Sequence, residues 1–261
     1  MERGIMEEAH SATPELANII TLLNKLFGEY PAVKFVHHFE NAVFAGIAII
    51  FLAILARMAT KNKTLIPGGL QNFVELCVEW LDDLVCGVLG HRGRDYTPFL
   101  GTLFIYILTL NMSGLVPGLK SPSSSLNTTV GLAVIVFFYV QYTGIKRLGI
   151  IGYFDHLLGQ PRDIMGFIFI PLMLPLHVVE EFIKPLSLSL RLFGNILGED
   201  SLIAVFVGLG IVALSFIKSP VGIPFQLPFM LLSIIAGSIQ ALVFTLLSTI
   251  YISLMLPHEE H

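Results

Sequence analysis

The chain has 261 residues, 54% hydrophobic and 13% charged, with a mean hydropathy of +0.79 and a formal net charge of −4. Water-soluble domains carry about 25% charged residues, so this composition excludes a water-facing globule and points to a polytopic membrane protein. The acidic balance, without any long basic cluster, leaves no surface for nucleic acid.

The chain opens with acidic positions (Glu2, Glu7, Glu8) and lacks the basic and apolar regions of a cleavable signal. Thr13-Pro14-Glu15 predicts a helix start, with Thr13 as N-cap and Pro14 in the first turn. Ile19, Leu22, Leu23 and Leu26 then recur at helical spacing, which predicts an amphipathic helix on the membrane surface. Residues 1–38 read as an extracytoplasmic extension and 39–261 as the membrane domain. A first span is expected over 41–58, stopped by Arg57, Lys61 and Lys63. The stretch Leu65–Leu89 mixes Glu75, Glu79, Asp82 and Asp83 into an apolar pattern and reads as interfacial. Its cysteines, Cys77 and Cys86, suit neither a metal site nor a disulfide framework, so buried free thiols are expected.

A second span is expected over 98–119, a turn-rich break over 120–125 and a third span over 126–143, followed by Lys146, Arg147 and Arg162. From 164 to 218 the chain is largely apolar yet holds His177, Glu180, Glu181, Lys184, Arg191, Glu199 and Asp200. About 20 residues suffice to cross a bilayer. This stretch is therefore either two spans with a re-entrant join near Lys184-Pro185 or one long, strongly tilted helix, and the parity of the loops favours one net crossing. A final helix over 228–256 precedes Pro257-His-Glu-Glu-His261. Arg57, Lys61, Lys63, Arg92, Arg94, Lys146, Arg147 and Arg162 all lie in the loops after the first and third spans. The opposite loops hold Lys120 and Lys218. The positive-inside rule puts the crowded side in the cytoplasm, the N-terminus outside and the C-terminus inside.

Charge inside the bilayer carries the functional reading. An arginine at a helix centre costs roughly 2.5–3.5 kcal/mol on insertion scales, so Arg191 requires a partner or an aqueous cavity. Ser187, Arg191, Asn195 and Gly198 share one helical face, while Leu188, Leu192 and Ile196 lie off it. Small residues such as Ser187 and Gly198 let another helix approach closely. Glu199 falls roughly 80° from the Arg191 face and Asp200 roughly opposite it, so neither is an internal ion-pair partner. Pairing with an acid on a neighbouring helix, purely to hold the bundle, remains open on this pattern. His177, Glu180 and Glu181 read either as interfacial or as groups in an ion path, and no second ligand pair accompanies them to make a metal site. The last helix carries Ser233, Gly237, Gln240, Phe244, Ser248 and Tyr251 as one stripe, with Gln240 a lone amide in an apolar run.

At these residues the chain resembles a known family. Lys184-Pro-Leu-Ser-Leu-Ser-Leu-Arg-Leu-Phe-Gly-Asn195 resembles the signature of subunit a of F-type ATP synthases, and Gln240-Ala-Leu-Val-Phe244 with Tyr251-Ile-Ser253 resembles that family's final helix. The resemblance implies an all-α integral membrane fold of about five transmembrane helices plus interfacial helices. The last two would be long and strongly tilted, packed against a ring of c subunits. It implies a non-catalytic stator subunit that offers two half-channels for H⁺, Na⁺ remaining open, with no cofactor and no metal. Its partners would be the c-ring, the subunit b peripheral stalk, the other synthase subunits and membrane lipid, in a bacterial inner membrane. Arg191 matches the family's essential arginine. Asn195 and Gln240 match polar neighbours of the ion path, and Asp200 matches an acidic half-channel position.

Three positions depart from the pattern. Glu199 precedes Asp200, Ser233 stands where a His or Glu is common, and Ser125 replaces a common Asp. His177, Glu180, Glu181 and Glu199 join Ser233 and Asp200 as half-channel candidates, and Gly237 joins Ser187 and Gly198 as a position of close helix approach. The rival readings are a secondary ion-coupled transporter, for which no inverted repeat is visible, and an intramembrane hydrolase, for which His177-x-x-Glu180-Glu181 is not the zinc motif.

Overall fold

The computed structural model describes residues 18–27, 30–61, 68–158, 164–214 and 224–256. The expected start signal at Thr13 and Pro14 lies outside them. Within them, Asn18 caps the first helix: its Oδ1 accepts the Thr21 amide at 2.8 Å and its own amide donates to Thr21 Oγ1 at 2.9 Å. That reciprocal pair satisfies orphan donors at a helix start. The helices are α1 (Ile19–Phe27), α2 (Pro31–His38), α3 (Glu40–Thr60), α4 (Gly69–Leu89), α5 (Thr97–Ser113), α6 (Leu126–Leu157), α7 (Ile164–Leu214) and α8 (Leu227–Leu254). Two 3-10 turns join them, a basic one at Gly90–Asp95 and a serine-rich one at Pro122–Ser124. The described residues hold no strand.

Four helices are long and apolar enough to cross a membrane, and α5, with 17 residues, is a shorter apolar fifth. α3 leaves Ile47, Ile49, Ile50, Phe51 and Ile54 exposed on its outer side, as expected of a lipid-facing span. α5 instead turns Leu100, Leu103, Ile107 and Leu110 inward, at i, i+3, i+7 and i+10. They pack with Leu132, Val136 and Val140 of α6, Leu188, Leu192 and Ile196 of α7, and Ala241, Phe244 and Ile252 of α8. The tight approach of α5 and α8 depends on Gly237. A Cβ there would stand 3.1 Å from Met112 Cε and 3.3 Å from Asn111 Cβ. Such close contact supplies the dispersion energy that holds helices together in lipid.

The stretch for which two arrangements stood open is a single helix, α7, of 51 residues. At 1.5 Å per residue it is about 76 Å long, more than twice the ~30 Å hydrocarbon core, so it cannot stand perpendicular to the membrane. Pro171, Pro175 and Pro185 lie inside it. Each removes one backbone donor and favours bending over termination when neighbouring helices support the chain. α6 also exceeds expectation, running past Thr143 to Leu157 with a break at Gly149, where φ is 74°. Arg147 keeps this part ordered by reaching Asp95 Oδ2 at 2.9 Å and the Tyr96 hydroxyl at 3.2 Å. The cysteines differ from expectation: both are free, but they are half-buried, because α4 lies at the edge of the bundle.

The crossings give the bundle two ends. The serine-turn end gathers α1, α2, the start of α3, the end of α5 and the start of α8. The basic-turn end gathers the start of α5, the last turns of α6 and the end of α8.

Candidate functional site

Arg191 occupies α7, and its side chain is exposed. Around it Ser187, Gly194, Asn195 and Gly198 are exposed as well, whereas Leu188, Leu192 and Ile196 are buried against the bundle. The polar and small face therefore points away from this chain's own core. Among the described residues Arg191 forms no ion pair and no hydrogen bond; the carboxylates of α7 engage other groups. Gly198 has nothing within 4 Å of where a Cβ would sit, so no helix among the described residues covers it. Leu186, Leu190 and Leu202 extend the exposed face with apolar groups. A guanidinium set among them cannot rest against hydrocarbon.

Asn195 links this face to α8. Its Nδ2 donates to Gln240 Oε1 at 2.8 Å, while Gln240 itself is buried. One turn away, Asn111 of α5 donates to the Gly237 carbonyl at 2.9 Å. Sequence reasoning missed Asn111, although it is a lone amide in an apolar run just as Gln240 is. Ser233, Gly237, Gln240, Phe244 and Ser248 form the buried face of α8, with Tyr251 half-buried.

Polar groups flank Arg191 on both sides. Toward the basic-turn end, Lys184 Nζ lies 2.6 Å from Glu181 Oε1 and 3.6 Å from the more exposed Glu180. Gln141 Nε2 donates to Glu181 Oε2 at 2.7 Å, and the Tyr153 hydroxyl donates to Gln141 Oε1. Lys184 also sits 5.8 Å from the Tyr251 ring centre. A small cavity beside this network is lined by Glu181, Lys184, Leu188, Val136, Phe137 and Tyr251. Gln141 and Tyr153 were not expected here; they lie 40 and 28 residues from Glu181 in sequence, and only the fold joins them. His177 is half-buried on the same stretch of α7.

Toward the serine-turn end, Glu199 is hydrogen-bonded by the Ser233 hydroxyl of α8. Asp200 is half-buried on the far side of α7. It reaches α5 at Gly114, where a Cβ would stand 3.2 Å from Asp200 Oδ1 and 2.9 Å from Ser121 Cβ. Glycine is required here by space. The two successive acids thus engage different helices, as the angular spacing predicts.

The interfacial corner near the basic turn is organised by Asp82, which accepts the Thr97 hydroxyl at 2.7 Å and Arg94 Nε at 3.3 Å. The Thr97 bond, with Arg94 beside it, holds Asp82 below the usual carboxylate range. Burial, with Asp82 alongside, pushes the Cys86 thiol up.

Comparison with known proteins agrees with these features. Residues 42–253 match the ATP synthase A chain family. ATP synthase subunit a of Protochlamydia amoebophila is 45% identical over 254 residues, 97% of this chain and 93% of that protein. Subunit a of Moorella thermoacetica is 41% identical over 215 residues (82% and 89%), and that of Solidesulfovibrio magneticus 38% over 219 (84% and 85%). Matched along nearly its whole length, this helical membrane bundle belongs to the ATP synthase A chain family.

Proposed function

We propose that this chain is the stator subunit through which protons reach and leave a rotating ring of c subunits, with Arg191 as the fixed charge at the crossing point. The observation that carries this reading is an exposed guanidinium on a face of small residues, in an apolar helix, with no ion pair among the described residues. A neighbouring protein that brings a carboxylate to Ser187, Gly194 and Gly198 satisfies both the space and the charge. A nearby cation favours the ionised form of an arriving carboxylate. Because a guanidinium does not release its own proton, it also bars direct passage between the two flanking polar regions.

Asn195 and Gln240 orient the approach. Glu199, Ser233 and Asp200 line one half-channel, and Glu181, Lys184, Glu180 and His177 line the other. By the distribution of Lys and Arg, the serine-turn end faces outward and the basic-turn end faces the cytoplasm of a bacterial inner membrane. The peripheral stalk and the remaining synthase subunits complete the complex, with lipid on α3. The ion is read as H⁺; a requirement of ATP synthesis for Na⁺ overturns that choice. Each charge moved through 100 mV carries about 2.3 kcal/mol, so a leak past Arg191 forfeits coupling directly.

The test is Arg191→Ala in the assembled complex. Coupled ATP synthesis is expected to vanish while the complex still assembles; normal synthesis refutes the assignment. A secondary transporter would instead move substrate as the isolated chain in proteoliposomes.

A further inference from the structure

The serine-turn end carries a cluster that neither the resemblance nor the Arg191 site uses. Glu40, at the first position of α3, is mostly buried, with its side chain 13% exposed, and Lys120 is nearly as buried at 17%. Lys120 Nζ lies 2.8 Å from Glu40 Oε1. The second carboxylate oxygen faces Asn18 Nδ2 at 3.5 Å and His37 Nδ1 at 3.4 Å, from two further elements. His37 Nδ1 is close enough for an ion pair when protonated, but it is aimed too poorly for a hydrogen bond and counts as unsatisfied.

The polar groups continue inward from this cluster. Ser113 Oγ donates to the Lys120 carbonyl at 3.3 Å, and Ser121 Oγ donates to the Leu110 carbonyl at 3.0 Å. Ser121 in turn shares the Gly114 crevice with Asp200. Four helices, α3, α5, α6 and α7, pack on the serine turn at this point. The same half of the bundle holds buried polar atoms without hydrogen-bond partners among the described residues: His37 Nδ1, Asn41 Oδ1, Ser123 Oγ, Asn111 Oδ1 and Gln240 Nε2. Buried polar atoms left unpaired are costly and are ordinarily satisfied by ordered water. The unpaired atoms on α2, α3, the serine turn, α5 and α8 are places where ordered water would complete the hydrogen bonding.

We propose that Glu40, clamped by Lys120 and flanked by His37, is the carboxylate at the mouth of the serine-turn passage, taking protons from bulk water and handing them inward past the serine turn toward Asp200. A hydronium ion at the mouth gives up a proton as a new O–H bond forms on a Glu40 oxygen, and a neutral water molecule is left. The proton then departs to water on the inner side, leaving the carboxylate ionised for the next. Lys120 Nζ, 2.8 Å from Oε1, holds the carboxylate in place between transfers. The inference rests on the half-channel reading above, but it assigns the mouth to α3 and the 114–125 turn, outside the signature helix.

The experiment uses the assembled complex in membrane vesicles, with passive proton flux measured after removal of the catalytic sector. Glu40→Gln is expected to slow flux driven from the serine-turn side by roughly tenfold, the scale of one charge-assisted hydrogen bond on a transfer step. Glu40→Asp restores most of it. Should E40Q fail to assemble, Ser123→Cys in a Cys77→Ala/Cys86→Ala background answers instead. Silver ion added from the serine-turn side then blocks flux, whereas Ile135→Cys, on the exposed face of α6, stays insensitive. Wild-type flux in E40Q overturns the proposal. Equal loss in E40Q and E40D, with S123C unreactive, marks a structural clamp only and also overturns it. In either case the loss of coupling in R191A still stands or falls separately, so failure of the mouth and failure of the functional reading are distinguishable.

Discussion

The two ends of the bundle treat their polar groups in opposite ways. At the basic-turn end the polar groups are paired, buried and exposed alike: Glu181 with Lys184 and Gln141, Gln141 with Tyr153, Arg147 with Asp95 and Tyr96, Asp82 with Thr97 and Arg94. At the serine-turn half the unpaired atoms accumulate, from His37 and Asn41 through Ser123 and Asn111 to Gln240. A membrane bundle has no bulk water to rescue orphaned polar groups, so one half is a network closed on itself by pairing, beside a small cavity, and the other leaves polar atoms for ordered water to satisfy. The difference teaches that similar polarity is accommodated in two ways, by internal pairing at one end and by atoms left to water at the other.

Three substitutions break or sharpen this contrast. The largest effect is expected from Glu181→Ala, which strips Lys184 of its 2.6 Å partner and Gln141 of its acceptor. Removing one side of such a pair leaves Lys184 with only the looser Glu180 contact at 3.6 Å, and a loss of about 2 kcal/mol is expected. Thermal inactivation of the complex measures it, and an unchanged inactivation temperature would mean the closed network is not cohesive. At the other end Ser123→Ala is expected to change stability by less than about 1 kcal/mol, because the hydroxyl has no protein partner to lose. A large loss there would erase the contrast. The smallest effect concerns Asp82. Its pKa is lowered by the fold, so its contribution is present above the ordinary carboxylate range and fades as pH falls through the lowered value. Asp82→Asn should therefore differ from the parent near neutrality and converge with it in strong acid. A constant difference down to low pH would rule out the Thr97 and Arg94 account.

How much was legible in the sequence follows from where the cost of burial falls. Arg191 and Gln240 stand out because a charge or amide in an apolar run is expensive, and expense marks position without needing the fold. Asn111 obeys the same rule and went unread because α5 is short and its neighbours are featureless. The separation of Glu199 from Asp200 was also legible, since helical geometry alone turns them to different neighbours. The Glu40–Lys120 pair was not, since its members are 80 residues apart and each looks like an ordinary flanking charge. Nor was the length of α6: Lys146 and Arg147 resemble the end of a span. Only Asp95 and Tyr96 across the corner, and Tyr142 beneath Lys146, keep them helical.

The length of α7 carries a geometric consequence. Its apolar part, Met173–Ala213, has 41 residues, about 62 Å of helix laid through a slab about 30 Å thick. Crossed once, that slope lowers each residue by only about 0.7 Å in depth while carrying it roughly 1.3 Å sideways. Glu181 and Asp200 are therefore separated far more around the rim of whatever turns beside the helix than along the membrane normal. On the function proposed above, a carboxylate that leaves one of them travels an arc, not a shaft, to reach the other, because the tilted helix turns a difference in depth into a larger sideways displacement.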